Sequence, residues 1–391
     1  MKKAKSKNKK FNIKNFFRFA DKGTSIDMPI FIITLTLVVF GLIMLYSASY
    51  VVGIYRMHDS MHYIKDQIVF AIVGVIVMMI ASKIDYRIFL RYDRMVLYLS
   101  YALLVIVLFM PEYKGVTRWI IIPKVGSFQP SEIAKFSVIL VFAKLIQQQG
   151  SKKMKTLTHG VFPFAIILGS IAFLMVMEPH LSGTVIILCI GAMMMFVGGT
   201  DIKWFVIAGG FLVVAIVGAV IMFPDLVPYA KTRIVAWRHP ELDLAGSGYQ
   251  SYQSLLAIGS GGLFGLGLGN SRQKHLILPE PQNDFIFSVI CEELGFFGGM
   301  IVIGLFLALL FRGLYISSRA KDKFGSLIVL GIIGQITLQA FLNIAVATNT
   351  IPNTGISLPF FSEGGTSLLM LLGEMGIVLS VSRYANLDKG E

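Results

Sequence analysis

The sequence predicts an all-α polytopic membrane protein with about ten transmembrane helices, and three observations carry that prediction. Of the 391 residues, 55% are hydrophobic and only 15% are charged, whereas soluble domains carry roughly 25% charged residues. The apolar residues fall into ten runs, 28–47, 66–82, 95–111, 131–149, 160–177, 182–198, 203–223, 285–311, 325–348 and 364–382. Each approaches the ~20 residues that cross a ~30 Å hydrocarbon core. Finally, the Lys and Arg residues alternate between the intervening segments. With the N-terminus inside, the inner segments hold 23 of them and the outer loops ten. The positive-inside rule then places both termini in the cytoplasm.

The elements follow in order. Residues 1–27 form a basic arm, expected to be a solvated tail attracted to anionic lipid. The net charge of +13 raises nucleic acid as a partner, but the apolar runs divide that charge among many loops, so no nucleic-acid partner is expected. The first span is long enough to remain in the bilayer, and no cleavable signal is expected. Residues 28–382 form one membrane domain, followed by a cytoplasmic tail at 383–391. Most connections are short. The exception is the segment 224–283 between spans seven and eight, a long extracytoplasmic loop. Its aromatic residues Trp237, Tyr249 and Tyr252 argue for order, with a short helix expected around 248–258. The two cysteines, Cys189 and Cys291, lie in apolar runs and suit neither a disulfide framework nor a zinc motif.

Five constellations carry chemistry. In LPEPQNDFIFSVICEELG (278–295), two prolines stop regular structure, and Asn283 and Asp284 open span eight. Ser288, Cys291 and Gly295 fall on the face of Asp284, while Glu292 and Glu293 fall on other faces, some 12–14 Å deeper by helical rise. Intramembrane carboxylates are costly and point to function or to specific pairing. Glu292 and Glu293 are expected to pair with neighbouring helices. Asp284 is either a helix cap, a role Asp and Asn favour, or a catalytic group.

In VTRWIIIPKVGSFQPSEIAK (116–135), Pro130 suits a first helical turn, and Glu132 and Lys135 share one face at i, i+3. They form an internal salt bridge, or Lys135 joins Arg118 in holding an anionic group such as a phosphate. The glycine-rich run Gly259–Gly269 is either a hinge or an anion-binding nest of backbone N–H groups. In NTGISLPFFSEGGTS (353–367), glycines and Pro359 interrupt the entry to the last span, where irregular backbone must be buried or line a cavity. EPHLSGT (178–184) carries Glu178 and His180 between spans five and six. The histidines show no metal-ligand spacing, so no metal site is expected.

Taken together, in this order and on one side of the membrane, these motifs resemble the SEDS family (shape, elongation, division and sporulation) of peptidoglycan polymerases. The resemblance covers the chain from the first span to the last, and GNSRQK…LPEPQNDFIF is most similar to the division and sporulation branch. It implies a glycosyltransferase that polymerises lipid II outside the cytoplasmic membrane, with release of undecaprenyl pyrophosphate and inversion at the sugar. Asp284 matches the family's essential loop aspartate, the general base. Arg118, Glu132 and Lys135 match functionally important positions, and Gln250, Ser260 and Gly261 of the glycine-rich motif join them as candidate substrate-binding residues. The resemblance further implies a class B penicillin-binding protein as partner, divisome or sporulation proteins nearby, and a divalent cation (Mg or Mn) as the one cofactor to consider. Two motifs depart from the family pattern. QPDLGT is replaced by a segment with Glu178, His180 and an inserted Ser182, and SYGG by one with Glu363. A lipid II flippase of the same family is the competing expectation, and a non-catalytic scaffold a third.

Overall fold

The computed structural model describes residues 25–111, 117–122, 126–178, 180–222, 234–242, 246 and 248–385. Expectations for the arm up to residue 24, for loop residues 223–233, 243–245 and 247, and for the tail beyond 385 fall outside these residues.

Each expected span coincides with a helix: α1 (Met28–Met57), α2 (His62–Ala81), α3 (Phe89–Val107), α4 (Pro130–Met154), α5 (Phe162–Met177), α6 (Leu181–Gly198) and α7 (Ile202–Met222). After the short α8 (Gly248–Ser260) come α9 (Ile286–Arg319), α10 (Lys323–Ala347) and α11 (Gly365–Tyr384). Among the described residues seven helices are long and apolar enough to cross a membrane, so the chain is a multi-pass membrane protein. α3 and α4 fall short of that measure, because charges such as Arg91, Asp93 and Arg94 on α3 and Glu132, Lys135 and Lys144 on α4 lower their apolarity. The described side chains of α7 include a shorter apolar stretch, Ile202–Phe211. One departure from the all-α expectation is a two-stranded antiparallel hairpin, β1 (Ile120–Ile122) with β2 (Gly126–Phe128), Ile121 opposite Ser127. Three successive isoleucines favour extended over helical backbone.

Local chemistry sets the helix ends. Asp27 caps α1, its carboxylate accepting from the Ile30 N–H at 3.0 Å, and it takes a bidentate pair from Arg312 of α9. Pro130 opens α4 at the position where a missing N–H costs nothing. Span eight is not one continuous helix. Gly295 adopts φ 71° and breaks α9, and a β-carbon there would stand 2.4 Å from the Gly265 nitrogen. The single helical face expected to run from Asp284 through Gly295 therefore ends at this kink. α2 packs on α11, α3 on α4, α4 on α6 and α9 on α10, around a core that includes Leu37, Phe142, Phe306 and Phe361.

Candidate active site

The packing leaves a cavity of about 620 Å³ at one end of the bundle, between α2, the hairpin and the starts of α4, α6 and α11. Three helix N-termini meet there: Ser131 and Glu132 of α4, Ser182 and Gly183 of α6, and Gly365 to Ser367 of α11 all line it. Each brings N–H groups without intrahelical partners and the positive end of a helix dipole. Arg118 and Lys135 add full positive charge to the wall, and Asp66, Glu132, Glu280, Asp284 and Glu363 add negative charge. The site is thus divided in sign, with cations and helix ends near carboxylates.

Asp284 lies on this wall, two residues before α9 begins. The N-cap position belongs to Phe285, so Asp284 and Asn283 stand one and two residues outside it. Asn283 instead donates to Glu280 at 2.7 Å. The backbone of Asp284 is held by the Asn343 side chain, which donates to its carbonyl at 2.8 Å and to the Ile356 carbonyl at 2.6 Å. Across from it, Gly355 turns with φ 70°, and a β-carbon there would come within 3.4 Å of Asp284 Oδ2. That distance is ordinary contact, so it is the left-handed backbone rather than crowding that calls for glycine here.

Glu132 and Lys135 form the ion pair their spacing allows, at 2.9 Å, with side chains only 9% and 4% exposed. Lys135 also donates to Gln339 of α10 at 3.0 Å. Arg118 is half-buried between the hairpin and the break after α5, and its charge acts on both Asp284 and Glu178. Burial lowers its pKa, and the two carboxylates oppose that. Glu178 is fully buried and neither of its oxygens has a hydrogen-bond partner among the described residues. Burial pushes its carboxyl up to about 8, with Arg118 pulling it back. His180 lies on the cavity wall, and burial, Arg118 and Lys135 drive its pKa down to about 3, so the ring is neutral.

Gln250, Ser260 and Gly261 do not line this cavity. Gln250 accepts from Asn353 at 2.7 Å, the Ser260 hydroxyl donates to the Ala257 carbonyl, and Gly261 lies against the backbone of α9. The end of the glycine-rich run and the residues just after it hold anions, but these are the chain's own carboxylates. Gly269 N and Ser271 N donate to Glu293, Arg272 N and the Ser271 hydroxyl donate to Glu292, and Lys274 pairs with Glu293 at 2.8 Å. Ser47 of α1 adds a further bond to Glu293. The deeper pair is thus structural, clamped mainly by the preceding loop rather than by neighbouring helices. Buried carboxylates must be paired or hydrogen-bonded, and both of these are.

The sequence reading missed His62, Asp66 and Gln67 of α2, together with Gln129, Glu280 and Gln339, all on the cavity wall. Gln67 binds the Gly364 N–H at 3.2 Å and so positions the start of α11. A signal was present for Gln339, because polar residues inside an apolar span mark specific contacts. No group of three or more His, Cys, Asp or Glu among the described residues is placed to hold a metal ion.

The class is therefore a multi-pass helical membrane protein with a polar, charge-divided cavity at a convergence of helix N-termini. The family profile that includes FtsW, RodA and SpoVE, described as "Cell cycle protein", matches residues 28–387. "Stage V sporulation protein E" of Bacillus subtilis is 44% identical over 373 residues, covering 93% of this chain and 99% of that protein. "Probable peptidoglycan glycosyltransferase FtsW" of Trichlorobacter lovleyi is 36% identical, covering 91% and 93%. Among solved structures, a chain described under "Structural coordination of polymerization and crosslinking by a peptidoglycan synthase complex" superposes with TM-score 0.75 at 25% identity, covering 92% of this chain and 98% of that one. The rod shape determining protein RodA of Thermus thermophilus shares the fold, with TM-score 0.66 at 24% identity over 93% and 98%. The chain belongs to the SEDS family of FtsW, RodA and SpoVE proteins.

Proposed function

We propose that this protein is a peptidoglycan glycosyltransferase that polymerises lipid II into β-1,4 glycan strands for septal or spore cell-wall synthesis. The observation that carries the reading is Asp284: its carboxylate shares one cavity with Arg118, Lys135 and three helix N-termini, and the charge of Arg118 acts on it. In the reaction, Asp284 accepts the proton of the acceptor sugar hydroxyl. The hydroxyl oxygen attacks the anomeric carbon of the donor, and the bond to undecaprenyl pyrophosphate breaks on the opposite face, which inverts the centre. Negative charge grows on the leaving pyrophosphate as that bond breaks. Arg118, Lys135 and the helix N-termini stabilise it, more strongly than in water because they are fixed and partly desolvated. An Mg or Mn ion belongs in this reading to the pyrophosphate of the substrate, since the described residues offer no metal cluster.

The protein works in the bacterial cytoplasmic membrane with ten spans, both termini inside and the 224–283 loop outside. Its partner is a class B penicillin-binding protein, within a divisome or sporulation assembly. That a solved relative belongs to a peptidoglycan synthase complex supports this. A flippase reading draws on the polar groups inside the helices, where Lys135 meets Gln339 and Gln335 meets Glu374. The test uses purified protein with its transpeptidase partner and labelled lipid II. Glycan ladders that vanish in Asp284→Ala are expected. Ladders unaffected by that substitution overturn the base assignment, and lipid translocation in vesicles without ladders favours the flippase.

A further inference from the structure

We propose that His180 is a phosphate ligand, its ring Nδ1–H donating to a phosphoryl oxygen of the substrate's pyrophosphate. The inference rests on the reading above, that a lipid pyrophosphate occupies the cavity.

His180 stands on the cavity wall at the N-terminus of α6 and is 6% exposed. Its backbone is fixed. The N–H donates to the Met175 carbonyl, and the carbonyl accepts from both the Thr184 N–H and the Thr184 hydroxyl. Ring Nε2 lies 3.3 Å from the side-chain nitrogen of Gln129. An amide nitrogen only donates, so Nε2 accepts, and the single proton of a neutral ring sits on Nδ1. That Nδ1 is buried and has no hydrogen-bond partner among the described residues. Buried donors are almost always matched, so an unmatched one on a cavity wall marks a place for an acceptor.

The surroundings say which kind of acceptor. Arg118 and Lys135 are the charges that act on the ring, and Lys135 shares its charge with Glu132. Glu178, two residues earlier, is kept neutral near pH 7 by burial. Gln129 immediately precedes α4 and Gly183 lies in the first turn of α6, so the ring bridges two helix N-termini. A β-carbon on Gly183 would stand 2.9 Å from Nδ1 and 2.6 Å from the terminal methyl of Met175, so only a glycine leaves space at that edge of the ring. The two cations that act on the ring and the two helix N-termini beside it favour an anion there. A neutral donor held among cations suits a phosphoryl oxygen and gives a further cation nothing to bind.

The test measures the Kd of farnesyl pyrophosphate for the full chain in nanodiscs, comparing wild type with His180→Asn and His180→Gln. An Asn side-chain nitrogen occupies the place of Nδ1, and a Gln nitrogen that of Nε2. We expect Asn to bind within about threefold of wild type and Gln to weaken binding about tenfold to a hundredfold, the value of a hydrogen bond to a charged group. If the ring merely braces Gln129, the order reverses, and that result overturns the inference, as does equal affinity or equal loss in the two variants. The same ranking is expected with inorganic pyrophosphate, and a ranking that only the lipid reproduces also overturns it. Arg118→Gln separates the two readings. Weakened binding there with both His180 variants at wild-type affinity overturns the role of His180 alone, whereas no change in any variant overturns the occupancy of the cavity as well.

Discussion

The ammonium of Lys135 lies 2.9 Å from the carboxylate of Glu132, one helical turn earlier, with both side chains almost closed to solvent on the cavity wall. Taking two charges out of water is expensive, and their mutual attraction repays it only when the geometry is good. Here Gln339 gives the lysine a second hydrogen-bond partner. The pair therefore holds a positive charge in place before any substrate arrives, and an incoming anion competes with Glu132 for it.

Removing one partner leaves the other charge buried and alone. Lys135→Met should destabilise the protein by about 3–5 kcal/mol, read as a large drop in thermal midpoint in detergent. The double variant Glu132→Gln, Lys135→Met should recover most of that midpoint. It should not recover glycan synthesis, because the cation is still missing.

Asp284→Asn separates capping from catalysis. Asp284 lies outside the N-cap position of α9, and the substitution should leave the thermal midpoint close to wild type. Glycan formation from labelled lipid II should fall by at least about a hundredfold, the low end for loss of a positioned base. An equal loss of stability and activity would instead assign it a structural part.

Glu178 makes stability depend on pH. Its carboxyl is raised from an ordinary 4.5 to about 8 in the folded protein, so between these values the folded state holds a proton that the unfolded state has lost. Stability then falls as pH rises through that window and levels off above it. Glu178→Gln removes the titration. Its thermal midpoint should match wild type near pH 4.5 and exceed it at pH 9, with the gap opening across the window between those values.

Gly261 tests packing against substrate contact. A β-carbon there would stand 1.9 Å from the Cys291 carbonyl oxygen, a backbone atom that cannot yield cheaply. Gly261→Ala should lower the yield of folded protein. The fraction that does fold should bind farnesyl pyrophosphate with wild-type affinity.

Much of the fold is legible in the sequence, because helix positions follow from the length of apolar runs, a local property. The N-terminus of α4 was readable from Pro130, and the Glu132–Lys135 pair from its i, i+3 spacing. The separation of Asp284 from Glu292 and Glu293 followed from helical rise alone. The hairpin at Ile120–Phe128 was not read, since a short run of isoleucines looks the same in a strand and a buried helix. The glycine-rich run was readable only as either a hinge or an anion nest, and the anions beside it were hidden. Glu292 and Glu293 fill it from about twenty positions further along the chain.

The sequence by itself determined the class of protein, the order of its helices and the identity of its candidate base. Tertiary structure alone decided what surrounds that base. It brought Arg118, Lys135, His180 and Asp284 to one cavity, and it buried Glu178 without a hydrogen-bond partner among the described residues. It also broke α9 at Gly295 and tied Ser47 to Glu293, 246 residues away. The physical reason is range. Burial and helical period are written into neighbouring residues, whereas a hydrogen bond or a field between distant segments leaves no periodic trace and exists only once the helices have packed.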